Sequence, residues 1–315
     1  MASLLEVDNL VKKYGDLTAV DGLSFNVQPG EAFGLLGPNG AGKSTTMMMV
    51  CGLLAADSGE VRLEGRRLDR MHPQSRQRMG VVPQDLALYP DLTARENLMF
   101  FGSLYHLSGA RLRGKVETVL EQVGLTGRAD DLMGTFSGGM KRRLNFAAAI
   151  MHDPVLLILD EPTVGVDPQS RAHLIACIRR LQQSGTAIIY ASHYMEEVQL
   201  VCSRAAIVDH GRLLACDSIA QLLTQIPFEV ELKLGQAALP EDMSLGTSAR
   251  IEYDGDEAVV RFRSQNQSCE TALNRDVTSI LTTLEHHGVS VRSIRTHEPN
   301  LERLFLKLTG NKLRD

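Results

Sequence analysis

The sequence of 315 residues lacks any apolar run long enough to cross a membrane. Its longest purely aliphatic run covers residues 155–159, whereas a membrane helix needs about 18 or more consecutive apolar residues. The first six residues contain neither a basic stretch nor an apolar segment, so they do not look like a secretory signal. We therefore expect a chain that remains in the cytosol and does not cross a bilayer.

An excess of positive charge is also missing. The chain has 33 Lys and Arg against 38 Asp and Glu, which gives a net charge of -5 without long blocks of one sign. A dedicated nucleic-acid binder normally carries a basic patch or stripe. We therefore expect no nucleic-acid partner.

Paired cysteines are absent as well. The five cysteines are odd in number, scattered and never spaced as Cys-x-x-Cys, which favours buried reduced thiols over disulfides or zinc sites. They are Cys51, Cys177, Cys202, Cys216 and Cys269.

What is present is an ordinary globular composition, 43% apolar and 23% charged, over a length that suggests two domains. Up to about residue 216, strand patterns alternate with helix patterns, which indicates an α/β architecture. Residues 155–159 and 187–191 are uninterrupted apolar runs and should be central strands. The pattern changes near residue 227, so we expect an α/β domain over residues 1–227 and a smaller α+β domain over residues 228–315.

One segment matches the phosphate-binding loop G-x-x-x-x-G-K-[ST] and lies between an apolar strand and a helix. It reads Gly37-Pro38-Asn39-Gly40-Ala41-Gly42-Lys43-Ser44. Such a loop folds its backbone N–H groups around phosphates, and Lys43 would neutralise the β and γ oxygens. The Ser44 hydroxyl suits Mg²⁺, and Thr45 suits the α-phosphate. The alternative is a glycine-rich turn without a ligand.

A second motif follows the apolar run at residues 155–159, where Asp160 and Glu161 come directly after a predicted buried strand. Ligands bind at this end of the strands in parallel sheets. Asp160 suits Mg²⁺, and Glu161 suits a general base for the attacking water. Taken alone, this pair could equally be solvated or cap a helix, but together with the phosphate loop the functional interpretation of the two carboxylates is favoured.

Between these motifs lies Ser137-Gly138-Gly139-Met140-Lys141-Arg142-Arg143. With the two preceding motifs it resembles the signature of ATP-binding cassette (ABC) transporter ATPases, and the resemblance covers residues 4 to about 217. It implies a P-loop NTPase fold of ABC type, with a central mostly parallel sheet, an antiparallel β subdomain and a helical signature subdomain. The three basic residues could suggest nucleic acid, but the net charge favours a solvated face or a dimer contact.

The resemblance also assigns single residues. Tyr14 would stack on adenine, Gln84 would touch Mg²⁺ or the attacking water, Asp167 matches the acid of the loop after Glu161, and His193 would link the γ-phosphate to Glu161. Without the family, Tyr14 is a strand-edge aromatic, Gln84 a surface residue and His193 a helix cap or a residue of a polar pocket.

The family further implies a head-to-tail dimer that encloses two ATP molecules, in which Ser137, Gly138 and Gly139 complete the γ-phosphate site of the partner. Phe136 and Met140 depart from the usual Leu-Ser-Gly-Gly-Gln, and similar signatures with Met belong to drug exporters. Residues 298–310 resemble the tail of drug-resistance-type exporter ATPases.

These resemblances imply an ATPase subunit, peripheral on the cytoplasmic face of the cell membrane, that powers export of a drug-like, lipid or polysaccharide substrate. It would act as a homodimer with a separately encoded membrane permease, which docks near residues 84–105 through one or two of the aromatic residues there. Two alternatives remain. One is an ABC ATPase that acts on ribosomes or DNA, and the other is a nucleotide-gated regulatory module whose residues 228–315 sense a ligand.

Overall fold

The computed structural model describes residues 3–68, 73–235, 245, 249–254, 257–263 and 270–310. The chain divides into two compact units, Met1–Ile219 and Ala220–Gly310. Within the described ranges, no helix has both the length and the apolar character needed to span a membrane.

The first unit contains an antiparallel sheet of four strands. In chain order these are β1 (Leu5–Tyr14), β2 (Leu17–Val27), β4 (Ser58–Leu63) and β5 (Arg66–Arg67). Their order in the sheet is β2-β1-β4-β5. β1 and β2 are long because their outer halves pair with each other as a hairpin that ends at Tyr14 and Leu17.

A second sheet of six strands forms the centre of this unit. It contains β3 (Ala32–Leu36), β6 (Met79–Val82), β7 (Leu156–Asp160), β8 (Ala187–Ser192), β9 (Arg204–Asp209) and β10 (Arg212–Ser218). The order is β10-β9-β3-β8-β7-β6, and only β10 is antiparallel to its neighbour. β7 and β8 are interior strands, which confirms the prediction that the two apolar runs are central strands.

Helices cover the central sheet and form a subdomain beside it. They are α1 (Lys43–Val50), α2 (Pro73–Arg76), α3 (Ala94–Leu104), α4 (Gly109–Gln122), α5 (Gly138–Ala149), α6 (Pro168–Gln183) and α7 (Met195–Val201). The short helix α8 (Ile219–Leu223) spans the boundary between the two units. Two 3₁₀ turns lie at Thr126–Arg128 and Met133–Thr135. Helices α3, α4 and α5 pack against one another, so the segment before Asp160 forms a helical subdomain.

The core of the first unit joins its two sheets. Phe25 on β2 stacks on Phe33 on β3, with ring centroids 5.1 Å apart. Leu5, Leu10 and Leu35 are fully buried in the same cluster. Burying each such side chain is worth about 1.5–3 kcal/mol, so this cluster holds the antiparallel sheet against the strands that carry the motifs.

The second unit is an antiparallel sheet with two helices. It contains β11 (Glu229–Leu234), β12 (Ala249–Asp254), β13 (Glu257–Arg263), β14 (Val291–His297), α9 (Glu270–His286) and α10 (Leu301–Thr309). The strand order is β12-β13-β11-β14. Val230, Leu232 and Phe262 pack with Ile280 and Leu284 of α9. The predicted domain boundary after residue 227 falls inside this unit, because Lys307 Nζ donates to Gln225 O at 2.8 Å.

The predicted fold class, an α/β cassette with a central mostly parallel sheet, is confirmed by these sheets and helices. Among the described cysteines, Cys51, Cys177 and Cys202 are buried free thiols and Cys216 is a half-buried one. Cys269 lies outside the described residues.

Candidate functional site

The glycine-rich loop joins β3 to α1, as its position between a strand and a helix requires. Gly42 has φ +97°, a conformation that other L-residues rarely adopt, and a Cβ there would lie 2.3 Å from Ala19 O. A Cβ on Gly37 would lie 2.3 Å from Val208 O. Both glycines are therefore required by the path of the backbone, which brings successive N–H groups to the start of α1.

Lys43 is buried inside this loop. Its Nζ donates to Gly37 O at 2.7 Å and to Pro38 O at 3.1 Å. Burial lowers the pKa of Lys43, while the nearby carboxylates Glu161 and Asp160 oppose this shift. The ammonium group therefore lies between the loop carbonyls and two acids, which is where a phosphate charge could be neutralised.

Asp160 ends β7 and lies beside the loop. Its carboxyl hydrogen-bonds with the Ser44 side chain, and burial raises its pKa. The Oδ1 atom is buried and has no hydrogen-bond partner. Because a buried carboxylate oxygen without a partner costs free energy, this oxygen beside a hydroxyl is chemically suited to a hard divalent cation.

Glu161 is held by two side chains from neighbouring loops. Its Oε1 is 2.8 Å from His193 Nδ1, and its Oε2 accepts from Gln84 Nε2 at 3.3 Å. The residue has φ +47° and its N–H donates to Ala191 O at 3.0 Å. A left-handed non-glycine residue costs about 1–2 kcal/mol, so the surrounding contacts must hold this turn in place.

The sheet explains why these residues meet. Strands β6, β7 and β8 are parallel neighbours, and β3 lies next to β8. Gln84, Glu161 and His193 each follow the end of one of these strands. The carboxyl ends of parallel strands share one edge of the sheet, so five residues singled out from the sequence, including Lys43 and Asp160, converge there.

The signature segment lies at the start of α5. Ser137 caps this helix and accepts from Met140 N at 3.3 Å. Gly139 packs so closely that an added Cβ would lie 2.1 Å from Ser170 Oγ and 2.8 Å from Asp167 Oδ2. Asp167 in turn caps α6 by accepting from Ser170 N at 2.9 Å.

Ser137, Gly138 and Asp167 are exposed. Hydrogen bonds with the Ser170 backbone and side chain lower the pKa of Asp167, so it carries a full negative charge at neutral pH. Among the hydrogen bonds of the described residues, none joins Ser137, Gly138 or Asp167 to the phosphate loop. Ser137 and Gly138 are thus presented to solvent, whereas Gly139 is buried.

Tyr14 ends β1 with 47% of its surface exposed. Lys12 Nζ lies 5.8 Å from the centroid of its ring and also pairs with Asp57 at 2.8 Å. The ring is therefore free on the surface rather than packed in the core, as a base-stacking platform must be.

The basic run was expected to be a solvated face or a dimer contact, and for Arg142 and Arg143 the solvated face is wrong, because both guanidinium groups donate to carbonyls of their own chain. Arg142 donates to Gln84 O and to Pro83 O, and burial lowers its pKa. Arg143 donates to Val123 O at 2.8 Å. Asn145 Oδ1 accepts from Ala87 N at 3.3 Å.

Helix α5 therefore holds the backbone of the loop that carries Gln84. No local pattern in the sequence indicates this contact, since the bonded pairs are 58 or more residues apart.

Comparison with known proteins agrees with this geometry. Residues 20–164 match the family model described as ABC transporter. The linearmycin resistance ATP-binding protein LnrL of Bacillus subtilis (strain 168) is 44% identical and covers 99% of this chain and 100% of its own length. The Nod factor export ATP-binding protein I of Cupriavidus metallidurans is 39% identical, with both chains covered in full.

Solved structures show the same fold over the cassette. The ATP-binding subunit of an ABC transporter has a TM-score of 0.65 at 30% identity and covers 71% of this chain and 93% of its own. The cbiO1 protein of Clostridium perfringens, part of the ABC transporter complex cbiONQ, has a TM-score of 0.65 at 28% identity and covers 69% and 89%. The chain belongs to the ABC transporter family of ATP-binding proteins, which bind and hydrolyse ATP.

Proposed function

We propose that this chain is the ATP-hydrolysing subunit of an ABC exporter and that Lys43, Asp160, Glu161, Gln84 and His193 form its reaction centre. The observation that carries this is the convergence of these side chains at one edge of the central sheet, with Glu161 bonded to both Gln84 and His193. The residues Gly37, Pro38, Asn39, Gly40, Ala41, Gly42, Lys43, Ser44 and Thr45 hold the phosphates, and Tyr14 stacks on the adenine.

Glu161 takes the proton of the attacking water. His193 orients that carboxylate through Nδ1, which leaves Nε2 for the γ-phosphate, and Gln84 fixes the other carboxylate oxygen. A general base of this kind contributes about 10²–10⁴ in rate. The buried position of Glu161 supports this role because water competes less for its hydrogen bonds there.

Mg²⁺ fits beside Asp160, with Ser44 and Gln84 as further ligands. When bound, it neutralises charge on the β and γ oxygens. Among the described residues, no three His, Cys, Asp or Glu side chains are grouped to hold a metal alone. The ion would therefore depend on phosphate oxygens and water for its remaining ligands, so that metal and nucleotide bind together.

A second copy of the chain completes the site in this proposal. The exposed Ser137 and Gly138 at the start of α5 offer a hydroxyl and free N–H groups, which suit an anion. Asp167 lies directly behind them. A head-to-tail homodimer would bring this surface to the γ-phosphate held by the loop of the partner, and ATP would then join the two copies.

Export is supported by what the relatives are named for, linearmycin resistance and Nod factor export. The substrate class is accordingly drug-like, lipid or saccharide, and it would pass through a separately encoded permease at the membrane, with this chain on the cytoplasmic face. Tyr89 and Phe100 are exposed and pack edge to face at 4.9 Å, so they form a suitable apolar contact for that permease.

Two experiments test these parts separately. Lys43→Ala should weaken binding of a fluorescent ATP analogue, because it removes the fixed charge inside the loop. Unchanged affinity would refute the phosphate site.

Expression with candidate permeases, followed by co-purification from membranes, tests the transport role. The double variant Tyr89→Ala with Phe100→Ala should reduce the amount of chain recovered with the permease. Recovery from the soluble fraction alone would instead favour a regulatory ATPase.

A further inference from the structure

A buried carboxylate lies behind the reaction centre, and no motif in the sequence indicated it. Glu197 on α7 is 5% exposed. Its Oε2 accepts from Tyr190 OH at 2.7 Å and from the hydroxyl of Thr163, which are also buried. Its Oε1 lies 3.3 Å from Arg171 Nε, an ion pair in which neither of these two atoms makes a hydrogen bond. The four side chains Thr163, Arg171, Tyr190 and Glu197 are called the Glu197 cluster below.

The Glu197 cluster joins three of the segments near the bond between Glu161 and His193. Thr163 is two residues beyond Glu161, and Tyr190 precedes His193 by three residues on β8. Glu197 itself follows His193 by four residues. Arg171 lies on α6, which begins after Asp167.

One carboxylate thus ties the loop of the general base, the loop of the histidine and the helix after Asp167 to each other.

Stability alone does not explain this arrangement. Burying a charged carboxylate costs free energy, and replacing a buried ion pair by apolar residues is often neutral or stabilising. Buried polar groups of this kind can instead fix one geometry among several. The conformation that needs support here is the left-handed backbone at Glu161, a residue that is not a glycine.

We propose that Glu197 is a positioning residue for ATP hydrolysis. Through its hydrogen bonds with Thr163 and Tyr190 it fixes the position of the loop after Glu161 relative to the strand that leads to His193. His193 Nδ1 therefore stays 2.8 Å from Glu161 Oε1. This inference rests on the proposed roles of Glu161 and His193. Glu197 itself touches neither nucleotide nor water in the reaction.

The test uses steady-state ATP hydrolysis by the purified full chain with Tyr190→Phe, Glu197→Gln and His193→Ala. Tyr190→Phe removes one hydroxyl and keeps the ring, so it folds even if Glu197→Gln does not. Each variant weakens the hydrogen bonds that hold the two loops, and small displacements of catalytic groups slow a reaction strongly, so kcat should fall about tenfold or more in both variants. The KM for ATP should change less than about twofold, because the phosphate loop is untouched.

The matched control is Glu31→Gln. Glu31 is also a buried glutamate paired with an arginine, Arg204 at 3.0 Å, but it lies at the opposite end of β3 from the phosphate loop. It should lower the melting temperature and leave kcat unchanged. Adding Glu197→Gln to His193→Ala should cause no further loss of kcat, because both act on the same carboxylate.

Two outcomes separate the inference from the proposed function. If His193→Ala lowers kcat while Tyr190→Phe and Glu197→Gln keep the wild-type kcat, the positioning role is overturned and the reaction centre stands. If His193→Ala keeps the wild-type kcat, the assignment of His193 fails, and the positioning role fails with it.

Discussion

Gly139→Ala should separate ATP binding from ATP hydrolysis. The added Cβ would lie 2.1 Å from Ser170 Oγ and 2.8 Å from Asp167 Oδ2. Ordinary contacts are longer than about 3.4 Å, so the start of α5 and the start of α6 must move apart by about 1 Å. Overpacking of this kind costs about 1–3 kcal/mol, and loss of the Asp167 cap alone costs about 1 kcal/mol.

The displaced residues are those proposed to meet the γ-phosphate of a partner, whereas the phosphate loop lies elsewhere in the chain. Purified Gly139→Ala should therefore bind ATP with wild-type affinity and lose at least about tenfold in kcat, since about 1.4 kcal/mol of transition-state contact corresponds to a factor of ten. Gly114→Ala on α4 is the matched control, because nothing lies within 4 Å of the added Cβ.

A mixture of two variants tests the shared site more specifically than Gly139→Ala alone. In a head-to-tail dimer of Gly139→Ala with Glu161→Gln, one site combines both defects and the other combines two intact halves. Statistical pairing makes half of the dimers mixed, so about a quarter of the wild-type activity should return if sites work independently. Wild-type turnover by Gly139→Ala alone, or no recovery on mixing, would refute a site shared between two chains.

Three further changes test the fold that supports the site. Phe33→Ala should lower the free energy of unfolding by about 3–5 kcal/mol, because Phe33 is fully buried and stacks on Phe25. Denaturant titration measures this loss, and a loss below about 1 kcal/mol would contradict the assigned core. Thr93→Ala should cost about 1 kcal/mol, since Thr93 and Glu96 form a capping box at α3, and Thr93→Ser should restore most of it.

Burial lowers the pKa of His152, which packs on Tyr105, so the folded state binds a proton there less readily than the unfolded chain does. The free energy of unfolding should therefore fall as the pH drops through and below about 6.5. Thermal melting of His152→Gln should show a smaller drop between about pH 7.5 and pH 5.5, and an equal drop would show that other groups cause it.

Sequence analysis could predict the motifs that are formed by residues close to one another in the chain. The loop 37–44 was recognised because the spacing of its glycines is a local property. The strands at residues 155–159 and 187–191 were recognised because an uninterrupted apolar run is a local property as well. Helix α3 was not predicted, although the capping box of Thr93 and Glu96 was a usable signal.

What could not be predicted depends on contacts between distant segments. The bond between Gln84 and Glu161 spans 77 residues, and that between Thr163 and Glu197 spans 34. Family resemblance pointed to Gln84 and Glu161 as site residues, though not to the bond between them, and it pointed to nothing like the second pair. The two arginines of α5 were misjudged for the same reason, because their carbonyl partners belong to loops 19 to 59 residues away.

The most direct test of the reaction centre is the kcat of Glu161→Gln, measured beside its affinity for ATP. The substitution keeps the size of the side chain and removes the base that His193 Nδ1 contacts at 2.8 Å. The predicted result is unchanged ATP binding with kcat lower by about 10²–10⁴, together with dimers that persist in ATP. A wild-type kcat in Glu161→Gln would contradict the assignment of Glu161 as the general base.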